Sequence, residues 1–295
     1  MIGPRPRFAV PLPDGRSLRL GERTLVMGVL NVTPDSFSDG GAFDDPGRAV
    51  DAALAMAEAG ADLIDVGGES TRPDAEPVEA DEEIRRVVPV IEAFARQSYL
   101  PVSIDTYKAP TAEAALDAGA TIVNDVSGLR ADPDLARLVA ARRAGLVLMH
   151  HRGRSADMYR FAHYASVVDE VAGELAESLD LARQAGVADD AVILDPGLGF
   201  AKQAEHSLAA LAGIATAPFL ALGRPLLLGP SRKSFLQTAA GERLAPHERD
   251  WATAAAVTAC ILLGAHVVRV HRVREMVQVA RVADMIRAER ERLAR

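Results

Sequence analysis

"EAGADLIDVGG", residues 58–68, reads as a helix end, a glycine suited to the left-handed cap, and a short apolar strand closing on glycines. The phrase returns as "DAGATIVNDVSG" (117–128), "RAGLVLMHHRG" (143–153) and "LLGAHVVRVH" (262–271), with a looser copy in "QAGVADDAVILDPG" (184–197). In each, glycine is expected to terminate the preceding helix. Adding "VMGVLN" (26–31), "PVSID" (101–105) and "PLLLG" (225–229) brings the strands to eight. The seven intervals from Asn31 to Arg269 average about 34 residues, the size of one βα unit. Between them, 46–59, 79–96 and 164–185 carry helical spacing.

The strands are nearly continuous apolar runs, as expected for parallel strands covered on both faces. No Pro/Gly/Ser-rich linker divides the chain. The expectation is a single α/β domain over 1–295: a (β/α)8 TIM barrel over about 25–290, preceded by a short β-hairpin over about 7–22 (FAVPL, a Pro13-Asp14-Gly15 turn, SLRLG). A doubly wound open sheet is the alternative.

Composition narrows the function. With 33 basic and 41 acidic residues the net charge is −8, which argues against a general nucleic-acid surface. Cys260 is the lone cysteine, so no intrachain disulfide forms and a reducing compartment is compatible. The first residues lack an apolar core of signal-peptide length, and the stretch 252–268 is too short and interrupted for a comfortable membrane span. A soluble, cytoplasmic protein is expected.

A barrel places its chemistry at the carboxyl ends of the strands. Those ends carry Asn31; Asp65 with Gly67-Gly68-Glu69-Ser70-Thr71-Arg72; Asp105; Asn124-Asp125; His150-His151; Asp195; Ser231-Arg232-Lys233; and Arg269 with His271. They sort by chemistry. Asp105, Asn124 and Asp195 offer acceptors for the amino and ring N–H groups of a flat heterocycle, and Asn also donates. Arg72, Lys233, Arg269 and His271 are cationic or can become so. Arg269 and His271, two apart on a strand, face one side and suit a phosphorylated group. Lys202 occupies the third-glycine position after Gly197 and Gly199, which rejects a dinucleotide fingerprint. Adjacent His150 and His151 point to opposite faces, a poor zinc pair, and only one of them can meet a ligand.

"MGVLNVTPDSFSDGG", "GADLIDVGGESTRP", "SIDT", "IVNDVSG", "ILDPGLGF", "GPSRKSF" and "RVHRV" together resemble the dihydropteroate synthases over residues 25 to 290. The resemblance implies a transferase of folate biosynthesis. It would join 6-hydroxymethyl-7,8-dihydropterin diphosphate to 4-aminobenzoate, with Mg2+, giving 7,8-dihydropteroate and diphosphate. Position by position it implies a pterin site at Asp105, Asn124, Met149, Asp195 and Lys233. Diphosphate would meet Asn31, Thr71, Arg72, Arg269 and His271, with the metal at Asn31. The 4-aminobenzoate ring would meet Thr71, Phe200, Lys233 and Ser234. Asp35, Asp105, Lys233 and Arg269 are the implied catalytic residues.

The resemblance also supports loss of diphosphate before the amine attacks, with the first loop, bearing Asp35 and Phe37, closing over the resulting cation. Two positions depart from the family pattern: His151 stands where a Met would line the pterin pocket, and Ala201 replaces a glycine before Lys202. A pterin-dependent methyltransferase and a non-catalytic pterin-binding paralogue are the rival readings. Finally, "ATAAAVTACILL" (252–263) is apolar around its circumference and must be covered on both sides, so a homodimer through this helix and the one from Val273 onward is expected, the alternative being cover by the C-terminal helix of the same chain.

Overall fold

Apolar side chains on both faces of the parallel strands require cover on both faces, and the computed structural model shows how it is supplied. It describes residues 4–33, 46–70, 77–153 and 157–293. Strands β1 (Phe8–Pro11) and β2 (Ser17–Leu20) pair antiparallel, with Gly15 in the turn at φ 82°. Eight parallel strands follow: β3 (Leu25–Asn31), β4 (Leu63–Gly67), β5 (Val102–Asp105), β6 (Ile122–Asp125), β7 (Gly145–Met149), β8 (Val192–Asp195), β9 (Leu227–Leu228) and β10 (Val267–Val270). Their order is β8-β7-β6-β5-β4-β3-β10-β9, and Leu194 bridges Leu226 just before β9, closing the barrel.

The helices are α1 (Pro46–Glu58), α2 (Ala80–Ala95), α3 (Ala109–Asp117), α4 (Leu135–Arg142), α5 (Val167–Gln184), α6 (Ala204–Gly213), α7 (Ala217–Ala221), α8 (Ser234–Ala240), α9 (Asp250–Leu263) and α10 (Val273–Leu293). Gly60, Gly119, Gly186 and Gly264 take positive φ where the repeated phrase expects them. One copy differs. In "RAGLV" the left-handed residue is Arg143 (φ 52°), because α4 stops at Arg142, and Gly145 instead opens β7. A Cβ there would lie 3.1 Å from Ile122 Cγ1 and 3.5 Å from Val10 Cγ1, so this glycine makes room for the hairpin.

Strand alternation then divides the core in two. Outward residues such as Val26, Ile64, Ile104, Val123, Leu148, Leu194 and Val268 pack under the helices. Inward residues Leu25, Met27, Leu63, Ile122, Val147, Ile193, Leu227 and Val267 join Val10, Leu12, Leu18 and Leu20 of the hairpin. The hairpin therefore stoppers the N-terminal mouth. Around the outside, α9 lays Val257, Cys260 and Ile261 into the core and packs one flank on α10, while Trp251 and Ala255 stay exposed. No described helix is long and apolar enough to cross a membrane.

Candidate active site at the C-terminal mouth

Two residues beyond the apolar inward layer, the same strands turn polar. Leu63 gives way to Asp65, Ile122 to Asn124, Ile193 to Asp195 and Val267 to Arg269; Asp105 ends β5 beside Asn124 in register. Asp65, Asp105, Asn124 and Asp195 are all buried. Asp105, Asn124, Asp195, Lys233 and Arg269 line one cleft, with Val126, Met149, Leu198 and Phe200 as its apolar wall. Every pterin residue expected from the sequence is in this set. Across β4, Gly67 stands beside Asp105, where a Cβ would come within 3.4 Å of the aspartate's own Cβ.

Arg269 organises the floor. Its Nε donates to Asp65 Oδ2 at 2.6 Å and its Nη2 to Asp105 Oδ2 at 2.7 Å, while Asn124 Nδ2 donates to Asp65 Oδ2 at 3.0 Å. Burial pushes the Asp105 carboxyl up; Arg269 opposes this and Asp65 adds to it. Asp195 is raised to about 6 by burial, against the Gly197 N–H that donates to its Oδ1 at 2.7 Å.

Lys233 reaches the cleft through a backbone turn. Arg232 takes a left-handed φ of 60°, held by its bidentate pair with Asp250 at 2.8 and 3.1 Å. The next residue then points inward, with its Nζ 3.7 Å from the Phe200 ring centroid. Burial, then Arg269, pull the Lys233 pKa down to about 7. Ser234, first residue of α8, lies exposed at the rim. Asn31 ends β3, partly buried and level with Gly67. His271 follows β10, with Nδ1 2.9 Å from Ser231 Oγ. Asp35, Phe37, Thr71 and Arg72 lie outside the described residues.

The two histidines separate by parity. His150 turns outward: its Nε2 meets Glu174 at 3.1 Å and its Nδ1 meets Lys202 at 2.8 Å. His151 turns inward, edge-on to Phe200 at 5.4 Å, with a buried Nε2 that has no partner among the described residues. Burial pulls both imidazoles down to about 4, so they are neutral at pH 7.

Asp65 and Lys202 are the positions whose part in the site was not read from the sequence. Asp65 stood among the polar strand ends without a role; its signal is a carboxylate inside an apolar run, two residues after an inward leucine. Lys202, 2% exposed, donates to His150 Nδ1 and to the carbonyls of Gly197 and Phe200, tying down the loop that carries Phe200. The family pattern of Gly199-Phe200-Ala201-Lys202 contains it but assigns it no role.

A barrel with a buried hydrogen-bonding floor, an aromatic wall and convergent cations defines a heterocycle-binding enzyme site of the pterin class. The family model for pterin binding enzymes matches residues 27–271. A curated dihydropteroate synthase of Synechocystis sp. is 44% identical over 281 residues, covering 95% of this chain and 96% of its own. Xanthomonas albilineans dihydropteroate synthase, solved with 4-aminobenzoic acid, has TM-score 0.86 and 41% identity, covering 96% of this chain and 99% of that one. The Yersinia pestis dihydropteroate synthase, solved as a sulfonamide drug complex, has TM-score 0.87 and 35% identity over 95% and 100%. The chain belongs to the dihydropteroate synthase family of pterin-binding enzymes.

Proposed function

We propose that this chain condenses 6-hydroxymethyl-7,8-dihydropterin diphosphate with 4-aminobenzoate, releasing 7,8-dihydropteroate and diphosphate. The observation that carries the reading is the cleft in which Asp105, Asn124, Asp195, Lys233 and Arg269 converge beneath Phe200. In this reading Asp105, Asn124, Met149, Asp195 and Lys233 hold the pterin. Asn31, Arg269 and His271 receive the diphosphate together with Thr71 and Arg72. Phe200 and Lys233, with Thr71 and Ser234, shape the place of the aryl amine, in keeping with 4-aminobenzoic acid bound to the Xanthomonas relative.

An aryl amine is a weak nucleophile, so departure of diphosphate first lowers the barrier most. The pterin C–O bond breaks with its electrons going to diphosphate, leaving a methylene cation delocalised into the ring. Arg269 and His271 stabilise the developing negative charge, and the Asp105 carboxylate stabilises the cation. The amine lone pair then forms the C–N bond and its proton passes to solvent. Asp35, outside the described residues, acts in this reading after diphosphate has departed.

Among the described residues no cluster of three acidic or nitrogen ligands exists that would hold a metal alone. Asn31 offers a single hard amide oxygen, a donor set that fits Mg2+ arriving on the diphosphate. Bound there, the ion would neutralise leaving-group charge.

The chain acts as one domain, with the hairpin belonging to the barrel it stoppers, and works in the cytoplasm. It assembles as a homodimer through α9 and α10, on which Val282, Met285 and Ile286 are exposed apolar side chains. A monomer in light scattering at micromolar concentration would contradict that assembly. The activity is tested by diphosphate release that requires both substrates; release with the pterin diphosphate alone, or none with both, overturns the reading. Sulfonamides, which copy the ring, amine and negative tail, are expected to compete with 4-aminobenzoate rather than with the pterin diphosphate.

A further inference from the structure

We infer that Asp65 is a positioning residue of the pterin site: it decides whether the Asn124 amide meets the bound heterocycle with its donor or its acceptor. The inference rests on the reading of the cleft as a pterin site. Asp65 lies on the inward face of β4, fully buried, and is not itself among the residues lining the cleft. Its influence must therefore pass through what it touches.

It touches two groups that do line the cleft. Arg269 Nε and Asn124 Nδ2 both donate to Asp65 Oδ2, at 2.6 and 3.0 Å. A carboxylate paired with a guanidinium only accepts, so the branch of the amide facing it must be the NH2. Turning the amide over would press its carbonyl oxygen against the carboxylate in a buried setting and break the bond. An asparagine's orientation is set by its hydrogen-bond network, and here one charged partner settles it. The carbonyl Oδ1 is left for a ligand.

The same contact steadies the neighbouring cation. Arg269 is held at two points, Nε on Asp65 and Nη2 on Asp105, which fixes the plane of the guanidinium. Asp195 adds another acceptor to the floor, with its Oδ1 already taken by the Gly197 N–H. The floor thus offers acceptors from Asn124 and Asp195 beside the cations Lys233 and Arg269. That polarity suits a heterocycle edge with an amino group and a ring N–H next to a carbonyl. An edge with a second carbonyl in place of the amino group meets acceptor with acceptor.

Two ligands that differ at this position make the test: 6-hydroxymethylpterin, with a 2-amino group, and 6-hydroxymethyllumazine, with a 2-oxo group. Both are titrated calorimetrically into the full chain. The parent is expected to prefer the pterin at least ~30-fold, since a site built around a hydrogen bond rejects the analogue that cannot make it. Asp65→Asn keeps shape but frees the amide to turn. It is expected to lose at least ~10-fold in pterin affinity and to prefer the pterin by less than ~5-fold.

The double variant, Asp65→Asn with Asn124→Asp, rebuilds the pair with the donor below and an acceptor above. It should recover a preference of at least ~10-fold, and it keeps the test decisive if the single variant folds poorly. Recovery supports the role. An Asp65→Asn protein that keeps affinity and preference within about threefold overturns it. Equal loss for both ligands with the preference intact also overturns it, because Asp65 would then serve the fold alone, and so does a double variant without preference. A parent that binds neither ligand overturns the pterin reading itself, and this role with it.

Discussion

At the N-terminal mouth of the barrel the inward side chains are Met27, Leu63, Ile122, Ile193 and Val267, and the hairpin closes over them with Val10, Leu12, Leu18 and Leu20. Two residues further along, Asp65, Asn124, Asp195 and Arg269 face inward, and the C-terminal mouth is a polar cleft. Backbone geometry is the same at both ends. The difference is what each end does with burial. Apolar burial contributes stability; burial of carboxylates, an amide and cations costs it unless each finds a partner. One mouth holds the barrel together, and the other uses part of that stability to keep hydrogen-bonding groups oriented without water.

The comparison is broken most severely at Arg269. Arg269→Met should leave the Asp65 and Asp105 carboxylates buried without their cation. Turnover is expected to fall at least ~10³-fold, about 4 kcal/mol of transition-state stabilisation. Steady-state diphosphate release checks this, and a loss under tenfold would place the working cation elsewhere. At the opposite mouth, Leu20→Ala removes a side chain that is 1% exposed. It should cost ~2–4 kcal/mol in urea unfolding while both KM values stay within about twofold. A large change in KM would mean that the two mouths are not independent.

The next effect is smaller and depends on pH. Burial pulls the Lys202 pKa down to about 7 in the folded protein, against an ordinary 10.5. Between pH 7 and 9 the unfolded chain therefore holds a proton that the native state does not, so stability rises with pH. This one group contributes at most ~1.4 kcal/mol per pH unit. Lys202→Met should remove that share of the slope in urea melts at pH 7, 8 and 9, and an unchanged slope would show that Lys202 stays charged throughout. The smallest effect belongs to His151, whose Nε2 is buried without a partner among the described residues. His151→Met should stabilise the protein by ~1 kcal/mol and tighten pterin binding by less than about tenfold. Weaker pterin binding would mean that the imidazole makes a bond to the ligand.

Much of this was legible in the chain before it was folded. Glycines after helix ends, short apolar strands and a spacing of about 34 residues lead to eight βα units because helix termination and strand burial are local matters. The residues implied for the pterin lie together because all but Lys233 sit at strand ends, which a barrel gathers at one mouth, and Lys233 is turned into the same mouth by the loop after β9. His150 and His151 show the limit. Alternation says that only one turns inward, but which one depends on register, and only the closed sheet supplies it. Likewise Arg143 rather than Gly145 takes the left-handed position, since α4 stops at Arg142 and Gly145 is already in β7, where it leaves room for Ile122 and the hairpin.

By itself the sequence determined the barrel, the hairpin and the chemistry of the strand ends, because periodicity and residue type act over a few neighbours. Tertiary structure alone decided the pairings: Arg269 with Asp65 and Asp105, 204 and 164 residues away, Lys202 with His150 across 52, and Asn124 with Asp65 across 59. Each depends on a buried polar group satisfying itself with whatever closure of the barrel brings within about 3 Å. No spacing along the chain encodes that distance.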